Sequence, residues 1–331
     1  MAPFPAQLTS GRKIGIALGS GSARGLAHIG ILDALQQWGV RPTVVCGTSI
    51  GALVGACYAT GHLDSFARWV GDLSTSEIWR FLNLQLRGGG MANASRLMSH
   101  LRSAYGEPDI EQLDCAFAAV TTDLHRGREI WLQQGSIWSA VRASIAIPGI
   151  LTPVQHGDRW LVDGGLVNPI PVSVCRALGA DIVIAVNLNS DLVGRRRQDE
   201  PELPPLQPDD TAESALAEAP PEAGEADHPG LLGRIGSSLW EATEPMRYLW
   251  NGEDETPASP GTLEVMLSAI NIMQDRITRS RLAGDPADII LAPRLGDVGL
   301  LEFSRSQEAI AEGRATVERM LPALEHALER G

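Results

Sequence analysis

The chain has 331 residues, enough for one large or two modest domains with a proper core. Its hydrophobic content of 44% and mean hydropathy of −0.02 are those of an ordinary soluble protein. No stretch reaches the roughly 18 consecutive apolar residues of a membrane-crossing helix. The net charge of −13 is uneven: residues 198–228 hold ten acidic groups and no Lys or Arg, so the rest carries only −3, which disfavours nucleic acid as a partner.

The first thirteen residues lack the charged start and apolar core of a secretory signal. Cys46, Cys57, Cys115 and Cys175 sit in apolar or helical surroundings without metal-ligand spacing. They read as small core residues in a reducing compartment, which points to a cytoplasmic protein with no metal.

Lys13–Leu18 is apolar enough for a strand buried on both faces of a parallel sheet. It runs into the loop Gly19-Ser20-Gly21-Ser22-Ala23-Arg24-Gly25 and then a helix marked by Leu26, Ile29, Leu32 and Leu35, which Gly39 stops. A second strand ends at Cys46, closing a βαβ unit. It delivers Gly47-Thr48-Ser49-Ile50-Gly51, a G-x-S-x-G elbow followed by a helix of small residues. Such a turn puts the Ser49 hydroxyl at its tip, and Gly47 and Gly51 let strand and helix backbones approach where a Cβ would clash.

The loop imitates a dinucleotide fingerprint only in part. Gly19 and Gly21 fit G-x-G-x-x-G, but the sixth position is Arg24 and the next strand ends without an acidic residue. A G-x-x-x-x-G-K-S/T loop is absent as well. The better use of Gly19, Ser20, Gly21 and Ser22 is as an oxyanion hole, with backbone N–H groups at a helix start facing a negative oxygen. Arg24 steadies this loop or meets an anionic head group; alternatively it is a surface arginine ending a turn.

Helices are expected over 63–73, 76–84 and 95–104, with Gly88-Gly89-Gly90 as a flexible joint. Trp69, Trp79, Phe81, Leu82, Leu84 and Leu86 line an acyl cleft or simply pack helices. A buried strand over 115–122 turns back at 123–127 into 128–132, and a helix spans 137–144. The strand 158–162 carries Asp163-Gly164-Gly165 at its end, either a placed carboxylate or a plain turn. A helix to Leu178 and a strand over 180–188 follow. Residues 191–262 break the pattern: their acidic, Pro- and Ala-rich part cannot bury enough apolar surface to order itself and is expected to be disordered. Within them, 231–250 reads as amphipathic, a lid, an interfacial helix or a subunit contact. Helices at 263–280 and 304–328 flank a last strand at 287–292.

Seven histidines occur, at 28, 62, 100, 125, 156, 228 and 326. None occupies a convincing loop after the acid, where a Ser-acid-His order needs it. A Ser49–Asp163 dyad fits the inventory better.

The spaced blocks resemble the bacterial patatin-like phospholipases, in the branch related to neuropathy target esterase. They are Leu18 to Gly30, Gly47 to Gly51, Arg142-Ala143-Ser144 with Ile147-Pro148-Gly149, and Asp163-Gly164-Gly165 with Asn168-Pro169-Ile170-Pro171. The resemblance covers 13–190 and resumes over about 263–330. It implies a single α/β domain of three layers, with a mainly parallel central sheet interrupted by the long acidic insertion. It also implies Ser49 as nucleophile, Asp163 as general base without histidine, and no cofactor. The substrate class would be a phospholipid, a lysophospholipid or another acyl ester, reached by peripheral contact with the inner membrane face, and a homo-oligomer is compatible with it. The family's loop more often has glycine where Ser20 and Ser22 stand; serine keeps the N–H donors but restricts positive φ. The competing readings are a patatin-fold regulator or adaptor that works through the acidic insertion, and an oligomer built on 231–250.

Overall fold

The computed structural model describes residues 4, 11–73, 77, 81, 83–84, 90–190 and 262–330. In chain order its principal elements are β1 (Ile14–Leu18), α1 (Ala27–Gln37), β2 (Val44–Thr48), α2 (Ile50–Ala59), α3 (Leu63–Asp72), β3 (Asn83–Leu84), β4 (Gly90–Asn93) and α4 (Ser95–Tyr105). There follow β5 (Ala116–Asp123), β6 (Arg128–Leu132), α5 (Ile137–Ser144), β7 (Gly149–Leu151), β8 (Val154–His156), β9 (Arg159–Asp163), α6 (Val172–Ala177) and β10 (Ile182–Val186). The last are α7 (Thr262–Gly284), β11 (Ile289–Leu291), α8 (Ser306–Arg319) and α9 (Leu321–Arg330). Contacts define a main unit, Met1–Arg195 with Ala269–Gly331, and a second, Arg196–Ser268, of which only 262–268 are described.

The main sheet runs β11-β10-β1-β2-β5-β9-β8, with β6 on β5. β11, β10, β1, β2 and β5 are parallel. β1, β2 and β10 are buried at every position, as parallel strands covered on both faces must be. Side-chain alternation sorts the two coverings. Ala17, Cys46 and Ala118 join the core formed with Val174 and Cys175 of α6. The neighbouring residues Leu18, Val45 and Phe117 point the other way, toward Gly55 of α2. Helix, sheet and helix are thus the three layers of an α/β fold, as the sequence implies.

Register explains how two distant stretches meet. β2 ends with Thr48 beside Val120, while β5 continues for Thr121, Thr122 and Asp123. Those residues pair instead with β9, which runs antiparallel and ends with Asp163 opposite Thr121. β6 takes the other edge of β5, so β2 and β9 share one edge and meet end to end. The strand end carrying Ser49 therefore faces the strand end carrying Asp163.

Three local expectations change. Within the helix expected over 76–84, Asn83–Leu84 is a strand pairing with β4, whose Gly90 belongs to the proposed joint; much of 74–89 lies outside the described residues. Trp69 packs against Phe66, Phe81 and His100, stacking on the last at 4.5 Å, so for this tryptophan the plain packing alternative holds. The single helix expected over 304–328 is two, α8 and α9, parted at Met320. Pro322 accounts for the break, since it has no N–H to donate back and its ring clashes with the carbonyl four residues earlier. The acidic tract and the 231–250 segment lie outside the described residues.

Candidate functional site

Ser49 occupies the sharp turn between β2 and α2 with φ 58° and ψ −123°, a region L-residues avoid. A conformation of this kind costs about 1–3 kcal/mol and persists only where its surroundings over-determine it. Here they do. The Ser49 N–H donates to Ser144 Oγ at 2.9 Å, and Ser144 Oγ–H donates to the Val120 carbonyl at 2.6 Å, tying the turn to α5 and β5. A Cβ on Gly47 would lie 2.4 Å from the Ala52 nitrogen, and one on Gly51 2.1 Å from the Leu18 carbonyl oxygen. Thr48 Oγ1–H adds a bond to the Asn168 carbonyl at 2.8 Å.

Ser49 Oγ–H donates to Asp163 Oδ2 at 2.5 Å, and the two residues are only 5% and 3% exposed. The second oxygen, Oδ1, accepts from the Gly165 N–H at 2.7 Å. The Asp163 backbone is fixed on both sides, its N–H to the Ala146 carbonyl and its carbonyl from Thr122 Oγ1. Burial pushes the carboxyl from the ordinary 3.8 up to about 6, against the pull of the Ser49 and Gly165 bonds. At neutral pH the group is therefore ionised yet ready to take a proton. No histidine among the described residues hydrogen-bonds to either side chain.

The 19–25 loop adjoins this pair at the end of β1. The N–H of Ser20 is committed to the Pro169 carbonyl at 2.9 Å, so it is not a free donor. Ser22 takes φ 49° despite its Cβ. The N–H groups of Gly21 and Ser22 have no acceptor among the described residues, while that of Ala23 donates to the Leu300 carbonyl. Arg24 is 1% exposed, which overturns the surface alternative. Its Nη2 lies 3.5 Å from Asn271 Oδ1, its Nε and Nη1 have no partner among the described residues, and burial pushes it down to about 10.

The model of the patatin-like phospholipases matches residues 16–176. An uncharacterized NTE family protein of Mycobacterium tuberculosis is 36% identical over 98% of this chain and 96% of its own. The chain belongs to the patatin-like NTE family. A lysophospholipase of Pyricularia oryzae from the same family is 29% identical over 92% of this chain, which spans only 18% of that much longer protein. The crystal structure of VipD from Legionella pneumophila superposes with a TM-score of 0.42 at 12% identity, over 94% of this chain and 67% of that one.

Within this patatin-like domain, several supporting residues carry weak signals in the sequence. Ser144 closes the Arg142-Ala143-Ser144 block, but only the fold shows its hydroxyl as the strut under Ser49. His28 is fully buried with Nε2 at 2.8 Å from the Gly19 carbonyl oxygen. Burial pushes it down to about 4, so the neutral ring donates from Nε2 and holds the loop. Asn168 binds Glu129 Oε1 through Nδ2 at 2.7 Å, and Glu129 pairs with Arg281 of α7. Gln274 reaches the loop from elsewhere in the chain, with Asn189 Nδ2 donating to the same Gln274 oxygen, and no motif announces either. Among the described residues, no cluster of His, Cys, Asp and Glu is placed to hold a metal, and no helix is long and apolar enough to cross a membrane.

Proposed function

We propose that this patatin-like protein is a serine acyl hydrolase working with a Ser49–Asp163 dyad. The observation that carries the reading is the 2.5 Å bond from Ser49 Oγ to a buried carboxylate whose affinity for protons burial has raised. Asp163 Oδ2 takes the hydroxyl proton as Oγ attacks an ester carbonyl carbon. The carbonyl oxygen becomes the oxyanion, received by the N–H groups of Gly21 and Ser22, each well-placed donor being worth roughly 3 kcal/mol. Collapse expels the alcohol, which recovers the proton from Asp163 and leaves an acyl ester on Ser49. Water attacks that ester, gives its proton to Asp163, and frees the fatty acid as Ser49 regains a proton.

The substrate class is a lysophospholipid, a phospholipid or a simple carboxylic ester. The relative from Pyricularia oryzae is a lysophospholipase, which favours the first. The test is hydrolysis of a graded series of acyl esters and lysophospholipids by the purified protein, beside Ser49→Ala and Asp163→Asn. Both variants should stay folded and lose roughly 10²–10⁴-fold in turnover. Equal, negligible rates for wild type and variants across the series, with folding intact, would sink the reading and leave the acidic insertion as the place to seek a partner.

A further inference from the structure

The middle of helix α7 turns polar residues inward. Gln274 and Asp275 are 8% and 2% exposed, whereas the neighbouring Ile272 and Met273 are 55% and 46% exposed. A helix stabilised only by burial would present the opposite faces. Buried polar groups persist when they are bonded, and these two are: Asp275 accepts from Arg279 Nε and Gln274 serves the 19–25 loop, while the half-buried Arg281 pairs with Glu129.

Gln274 is the member that touches both halves of the site. Its Oε1 accepts from Ser20 Oγ at 2.9 Å and from Asn189 Nδ2 at 3.4 Å. Its Nε2 fills the space over Gly165, where a Cβ would come within 2.3 Å of it and within 3.0 Å of Asp163 Oδ1. Gly165 is the residue whose N–H binds that same Oδ1. One amide therefore spans the distance between the loop bearing the free N–H donors and the turn bearing the carboxylate.

We propose that Gln274 is a positioning residue, holding the 19–25 loop in register with the Asp163 turn so that donors and base act on one carbonyl group. This rests on the hydrolase reading above. Gln274 touches no reacting atom; it acts through Ser20 and Gly165. Ser20 then has a reason to be serine, since a glycine there would keep the backbone bond to Pro169 but lose the side-chain tie to α7.

The experiment uses the full chain and a soluble short-chain ester, comparing wild type with Gln274→Met, Ser20→Ala and the double variant. Thermal midpoints, kcat and KM are measured for each. Methionine keeps the volume and removes the bonds, so the midpoint should move little, KM should stay within about twofold, and kcat should fall about tenfold or more. Ser20→Ala breaks the same bond from the other side, and it also serves if Gln274→Met does not fold. The double variant should lose no more than the worse single one, because both remove one shared contact. A wild-type kcat in the folded Gln274→Met and Ser20→Ala proteins, or losses that multiply in the double variant, would overturn the positioning role. Failure of the wild type to turn over any ester in the graded series would instead overturn the hydrolase reading on which it stands.

Discussion

Asp163→Asn removes a charge that folding must bury, so it should stabilise the protein at the pH where it disables the site. The native carboxyl holds its proton up to about 6, against an ordinary 3.8. Between those values the unfolded chain has released the proton and the folded chain retains it. Wild-type stability consequently falls as pH rises through this window and is level above it. At about 1.4 kcal/mol for each tenfold change in proton affinity, the burial costs wild type roughly 3 kcal/mol at neutral pH. Asparagine has the same shape, can still bond to Ser49 and Gly165, and carries no such cost. Chemical denaturation of both proteins at pH 4 and at pH 7.5 isolates the effect, because every other titrating group is common to the pair. The stability of Asp163→Asn relative to wild type should rise by roughly 2–3 kcal/mol between the two conditions. A relative stability that does not change, or that falls, would refute the assignment of Asp163 as a carboxyl destabilised by burial.

The same proton affinity should appear in the rate: kcat/KM for a neutral ester should be flat above pH 7 and fall tenfold per unit below about 6, following ionisation of the base. Ser49→Gly and Ser49→Ala both delete the hydroxyl, yet only glycine suits φ 58°, so Ser49→Gly should be more stable by about 1–2 kcal/mol in denaturant titration. Ser144→Ala leaves the Ser49 N–H and the Val120 carbonyl without their bridging hydroxyl and should cost about 1–3 kcal/mol, read in the same titration.

The elbow could be read from the chain because its determinants are local. A β-branched strand, Gly47, Ser49, Gly51 and a small-residue helix lie within about a dozen positions, and each constrains the next. Asp163 was harder, since an Asp-Gly-Gly turn looks the same whether or not it faces anything. Its position opposite Ser49 follows from β5 outrunning β2 by three residues and accepting β9 on the same edge, a matter of register between strands more than a hundred residues apart. The lack of a suitably placed histidine already favours that pairing, and the resemblance, resting on four ordered blocks, implies it. Burial of Arg24 could not be read either, because an arginine ending a glycine-rich turn is ordinarily solvated. The helix spanning Gln274 was expected, but periodicity points its apolar residues inward, and only the polar loop beneath explains why the amide is buried instead. The break before α9 was legible at Pro322, which forbids the continuous helix that the apolar periodicity suggests.

The most direct test of the central claim is to trap the nucleophile. The full-length protein is incubated with an alkyl fluorophosphonate and digested, and the modified peptide is sequenced by mass spectrometry. The account predicts one phosphonylated residue, Ser49, with labelling lost in Ser49→Ala and strongly slowed in Asp163→Asn at neutral pH. Ester hydrolysis that persists with Ser49 unlabelled, or with the label on another residue, would contradict it.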